Sequence, residues 1–156
     1  MTGPYVAVCG PSRATDQEEA WAEEVGRRLA EAGAAVVCGG LGGVMDAVAR
    51  GVRAGGGIVI GVLPGDTRDG ASGHLTAALP TGMGEARNAI IARAAEVVIA
   101  VGGEWGTLSE IALARKMGRP VIGLATWELP GRPGGIARVD TPEEAVREAL
   151  SAVGGR

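Results

Sequence analysis

The chain has no phenylalanine, one tyrosine, one histidine, one lysine and two cysteines among its 156 residues. Each scarcity excludes something. With aromatic residues at 3%, the core has to be built from closely packed Val, Ile, Leu and Ala. One His and two Cys do not furnish a structural zinc site, which takes four N or S ligands, so no metal is expected. Cys9 and Cys38 fall in or at the ends of apolar strand-like runs, which suits buried, reduced thiols better than a disulfide framework. Lys116 comes late in a helical pattern, where a cation complements the last carbonyls, and pyridoxal chemistry is set aside with it. No cofactor is expected. Although 46% of the residues are apolar and mean hydropathy is +0.19, no apolar run approaches the ~20 residues of a membrane helix. The start, Met1-Thr2-Gly3-Pro4, lacks the basic and apolar regions of a signal peptide, so the expected setting is cytoplasmic. A net charge of −3 without a clustered basic face argues against a nucleic-acid surface.

What is present is alternation. Short apolar runs at Tyr5 to Cys9, Ala34 to Cys38, Ile58 to Leu63, Glu96 to Val101 and Pro120 to Ala125 read as strands, and His74 to Leu79 as a further short one. Between them, residues 16–31, 44–53, 85–95 and 107–117 have helical spacing, and a last helix follows Thr141-Pro142-Glu143-Glu144. Strands apolar on both faces, alternating with helices, predict an α/β fold: a Rossmann-like, doubly wound parallel sheet in three α/β/α layers. At this length residues 1–156 are expected to be a single domain.

In such a sheet ligands bind outside the carboxyl ends of the strands, where four glycine-rich or polar turns would converge. The stretch Gly102-Gly103-Glu104-Trp105-Gly106-Thr107-Leu108-Ser109-Glu110 leaves an apolar strand and enters a helix at once, which offers bare N–H groups to an anion. Gly10 and Ser12 follow the first strand, and Gly39, Gly40 and Gly43 follow the second. The second turn does not fit the dinucleotide fingerprint, so its glycines serve close packing, ligand approach or both. Met83-Gly84-Glu85-Ala86-Arg87-Asn88 opens the helix before the central strand, which would let Arg87 face Glu110 across the pocket. Thr107 and Glu110 have the spacing of a capping box, so the pattern fits a helix cap as well as a site carboxylate. Glu104 inside an anion cradle would repel phosphate unless it points away or pairs with Arg. Trp105 and Trp127 are placed to stack on a base or to cover core edge, and His74, in a polar loop, reads as a surface residue.

These three segments, 38–45, 83–88 and 102–110, resemble in order the signatures of the LOG family, which also circulates as lysine decarboxylase. The similarity runs from Val6 to about Leu124. It implies a Rossmann-like fold, a homodimer or higher homo-oligomer, and hydrolysis of the N-glycosidic bond of nucleoside 5′-monophosphates to free base and ribose 5-phosphate. On that resemblance the essential Arg falls on Arg87 and the Glu on Glu110, with Gly103, Gly106 and Thr107 holding phosphate. Gly102 stands where the family has Pro, Glu104 where it has its second Gly, and Asn88 where Lys usually follows the Arg. Those departures resemble a shorter bacterial branch that is also similar to molybdenum-cofactor carrier proteins. The expected function is therefore a phosphoribohydrolase using Arg87 and Glu110, the alternative being a non-catalytic carrier for a nucleotide or a molybdopterin-type phosphorylated cofactor.

Overall fold

A computed structural model describes residues 3–129 and 135–155. The chain runs β1 (Tyr5–Cys9), α1 (Asp16–Glu31), β2 (Ala35–Cys38), α2 (Val44–Ala54), β3 (Ile58–Leu63) and β4 (Ala77–Pro80). A 3-10 turn (Gly84–Arg87) then leads into α3 (Asn88–Ala94), β5 (Val97–Val101), α4 (Trp105–Lys116), β6 (Val121–Leu124), β7 (Ile136–Val139) and α5 (Pro142–Gly154). All seven strands are parallel, in the order β4-β3-β2-β1-β5-β6-β7. The chain builds outward from β1 to β4, crosses back through α3, and builds outward again from β5. The switch in strand order therefore lies between β1 and β5.

Alternate residues of each strand supply the two faces. Val6, Val8, Val36, Val97, Ile99 and Val101 pack beneath α1, α2 and α5, while Ala7, Cys9, Val37, Val98 and Ala100 pack beneath α3 and α4. This is the three-layer α/β/α arrangement that the sequence predicts. With no Phe to fill space, α1 and α2 approach until backbone meets backbone: a Cβ on Gly51 would lie 1.9 Å from the Glu23 carbonyl oxygen, and one on Gly26 2.3 Å from that of Val48.

Four expectations change. Residues 85–95 are a 3-10 turn followed by a short helix rather than one helix, because Gly84 enters the segment at φ 57. β4 lies three residues later than expected, and β7 is an additional edge strand whose Ala137 and Arg138 are exposed. The helix expected from Thr107 begins two residues earlier, at Trp105. The Pro/Gly loop expected over 127–135 lies partly outside the described residues. Among the described residues, no helix is long and apolar enough to cross a membrane, and no group of three His, Cys, Asp or Glu is placed to hold a metal.

Candidate functional site

The loops after β1, β2 and β5 meet the 3-10 turn at the switch point, around a cavity of about 240 Å³. Gly10 and Ser12 come to it from the first loop, Leu41 and Met45 from the second, Glu85, Arg87 and Asn88 from the 3-10 turn and α3, and Glu104, Gly106, Thr107 and Glu110 from α4. Parallel strands explain the convergence, since every strand presents its carboxyl end on one edge.

The start of α4 makes one wall. The first helical bond runs from the Leu108 N–H to the Glu104 carbonyl at 3.0 Å, which leaves the amides of residues 105–107 outside the ladder. No side chain caps this end. Thr107, 2% exposed, has its Oγ1 without a hydrogen-bond partner, and so has Oε2 of Glu110. Thr107 and Glu110 are therefore not a capping box. Starting the helix two residues earlier carries both side chains into the interior, three residues apart on the face that meets the cavity.

Opposite stands a buried cation. Arg87 is 6% exposed; its Nε donates to the Val62 carbonyl at 3.0 Å and its Nη1 to Asn88 Oδ1, with Glu85 3.7 Å away at the rim. Asn88 passes the connection on, its Nδ2 donating to Ser109 Oγ at 2.9 Å. Arg87 and α4 are thus held together through a buried amide. Burial, only partly offset by the positive Arg87 and reinforced by Glu85, pushes the Glu110 carboxyl up to about 8. At neutral pH it is a neutral acid. Cys9 and Cys38, nearby on β1 and β2, are free thiols, Cys9 pushed well up and Cys38 up to about 12, in both cases chiefly by burial.

Other candidate residues are displaced from the cavity lining. Gly43, at φ 63, packs on the backbone of Pro11 and Ser12, and Gly40, at φ 78, on Leu63 and Gly61. Gly39 backs onto Met45 and the Arg87 guanidinium, where any side chain would push that cation out of place. Gly102 faces the Glu18 carboxylate and Gly103 the Trp127 indole. Met83 is 47% exposed and outside the lining. These glycines pack closely in the loops around the cavity. Glu104 does point into the cavity, and no ion pair engages it among the described residues. Trp105 is 77% exposed and tilts against Trp127 with ring centres 5.2 Å apart, away from the cavity; the Trp127 N–H fixes the Glu104 carbonyl at 3.1 Å. His74 sits on the surface against Asp46. The lining residues the sequence did not single out are Leu41, Met45 and Glu85; all three lie inside the segments already flagged, Leu41 between Gly40 and Gly42, Met45 two residues after Gly43 and Glu85 directly after Gly84.

A larger hollow, about 320 Å³, opens beside Trp127 and Ile136 at the far edge of the sheet. Its charged groups, Arg138 and Glu128, pair with each other in solvent, and it stands apart from the switch point.

Several proteins are similar over nearly the whole chain, three of them as follows. An uncharacterized protein of Archaeoglobus fulgidus is 38% identical over 146 residues, 94% of each sequence. The structure of the molybdenum cofactor binding protein from Rippkaea orientalis superimposes with a TM-score of 0.91 at 33% identity, covering 98% of this chain and 99% of that one. The molybdenum cofactor carrier protein from Chlamydomonas reinhardtii gives 0.85 at 29% identity, covering 97% and 99%. The resemblance to LOG proteins thus holds at the level of the wider grouping rather than of that family itself. The family model that matches, over residues 3–148, is that of the SLOG cluster4 family, and the chain belongs to it.

Proposed function

We propose that the switch-point cavity binds a phosphorylated small molecule bearing a heterocycle and carries it intact. The observation that supports this most is the pair of buried, unpartnered polar atoms, Thr107 Oγ1 and Glu110 Oε2, at the uncapped start of α4. A protein rarely leaves such atoms bare, because burying them without a partner is costly. A ligand at the N-terminus of α4 would receive the free amides and the positive end of the helix dipole. The named relatives make a molybdopterin-type cofactor the first ligand class to try. Gly10, Ser12, Asn88, Gly106 and Thr107 are the ligand contacts in this reading, with Arg87 supplying fixed positive charge. We place the protein in the cytoplasm as a homodimer or higher oligomer, acting on small molecules rather than nucleic acid.

Hydrolysis of nucleoside 5′-monophosphates is the second reading, favoured by the presence of Arg87 and Glu110 in one cavity. Its transition state carries positive charge on the sugar and calls for a carboxylate. A neutral Glu110 serves binding better. The deciding experiment is mass spectrometry of the ligand that co-purifies, beside chromatography of a panel of nucleoside 5′-monophosphates incubated with the protein. An intact phosphorylated heterocycle with no base released is expected; base release by wild type and not by Glu110→Gln would establish the hydrolase instead.

A further inference from the structure

Glu110 places in the cavity wall a carboxyl group whose Oε2 no protein group engages. The neighbouring cation does not reach it by hydrogen bond: Arg87 is committed to the Val62 carbonyl and to Asn88. Around it from the other elements stand Glu85 on the 3-10 turn, Glu104 before α4, and the thiols of Cys9 on β1 and Cys38 on β2. None of these supplies an opposite charge. An ionised Glu110 would place charge on a buried, unpartnered Oε2 beside the Glu85 carboxylate, with the one neighbouring cation already occupied. We propose that Glu110 meets the ligand as a neutral acid, donating its Oε2 proton to an acceptor oxygen or nitrogen of the bound molecule, so that occupancy of the cavity is coupled to one proton on this side chain.

This rests on the reading of the cavity as a ligand site and adds what that site selects. The ligand atom beside Glu110 carries a lone pair, as a phosphoryl oxygen, a ring carbonyl or a ring nitrogen does, and a cationic or donor group there is rejected. The geometry also sets a direction with pH. Burial keeps the free acid protonated up to about pH 8, and a hydrogen bond from the acid to a ligand raises that limit further. Below it the donor is in place and affinity is level. Above it, binding must first take up a proton, and affinity falls by about tenfold per pH unit. The two thiols, held above their ordinary range by burial, stay protonated through this range and contribute no slope of their own.

The test is calorimetric titration of ribose 5-phosphate from about pH 7 to pH 9.5, where a phosphate monoester with a second pKa of about 6 is already a dianion. Each pH is run in two buffers of different ionisation enthalpy, which reports protons taken up on binding. Wild type should bind evenly to about pH 8 and then weaken by about tenfold per unit, taking up close to one proton per ligand at the top of the range. Glu110→Gln keeps a donor that does not titrate, so its affinity should be level and its proton uptake nil. A level profile in wild type, or a parallel fall in Glu110→Gln, overturns the proposal and leaves the site standing. No binding at any pH overturns the site reading and this inference with it. Should Glu110→Gln fail to fold, the proton count of wild type alone decides.

Discussion

Thr15 and Thr107 each stand three residues before a glutamate, yet the helices that carry them begin in opposite ways. At α1 the Glu18 N–H donates to Thr15 Oγ1 at 3.1 Å and the Thr15 N–H to Glu18 Oε1 at 3.0 Å, a closed capping box at the surface. The start of α5 is nearly the same, with the Glu144 N–H on Thr141 Oγ1 and the Asp140 N–H on Glu144. At α4 the same spacing lies inside the helix, Thr107 is buried and Glu110 partly so, and neither Thr107 Oγ1 nor Glu110 Oε2, both buried atoms, has a partner. A local pair that satisfies itself is structural; one buried and left open is arranged around something else. The difference is one of register: the N-cap is Thr15 itself at α1 but Glu104, three residues before Thr107, at α4, so the second pair lines the cavity instead of closing a cap.

The comparison breaks hardest over pH. Glu110 has its carboxyl raised to about 8 in the folded protein from an ordinary 4.5, so its contribution is intact below about pH 4.5 and is lost as pH rises toward 8. Glu110→Gln removes that loss. Chemical denaturation at about pH 9 should find the variant more stable than wild type by up to on the order of 5 kcal/mol, and no different near pH 4. Parallel curves would mean that Glu110 is as well satisfied as Glu18.

A second break concerns the bridge that holds the open pair in place. Asn88→Ala cuts Arg87 from Ser109 and should cost about 1–3 kcal/mol by urea denaturation, together with about tenfold in ligand affinity by calorimetry. If stability falls and affinity does not, the bridge is structural only.

The threonines sharpen the contrast. Thr141→Ala removes a cap and should cost about 1 kcal/mol. Thr107→Val removes a hydroxyl with no partner, and the same thermal scan should leave the protein as stable as wild type or slightly more so. Thr141 is the better control than Thr15, because Glu18 lies against Gly102 at the edge of the site. The smallest effect belongs to Glu104. Its carboxylate faces the helix start, so Glu104→Gln should raise the affinity for ribose 5-phosphate about two- to fivefold, a gain that 1 M salt erases.

The central strands and the position of the switch-point cavity were readable because they depend on runs and order. Val97 to Val101 is apolar at every position, as only a strand covered on both faces requires, and the alternation with helices fixes which edge gathers the loops. β7 was not readable: Ile136 to Val139 is a half-exposed edge strand of four residues after a Pro/Gly stretch, too short and too polar to carry a period. Within the site, Arg87 and Glu110 were legible as types at telling positions. Their states were not. Whether Glu110 caps or points inward depends on where α4 begins, and that is set by the Gly102 turn at φ 67 and by Trp127 holding the Glu104 carbonyl, contacts made across the fold. For the same reason the packing of Gly40 on Leu63 and of Gly43 on Pro11 could not be read from the sequence.

The most direct test of a site at α4 is the calorimetric titration of ribose 5-phosphate at pH 7 into wild type, Thr107→Val and Thr141→Ala. Thr141→Ala should bind as wild type does while Thr107→Val binds at least about tenfold more weakly, the loss of one hydrogen bond to a charged group. Equal binding by wild type and Thr107→Val, or an equal loss in both variants, would contradict it.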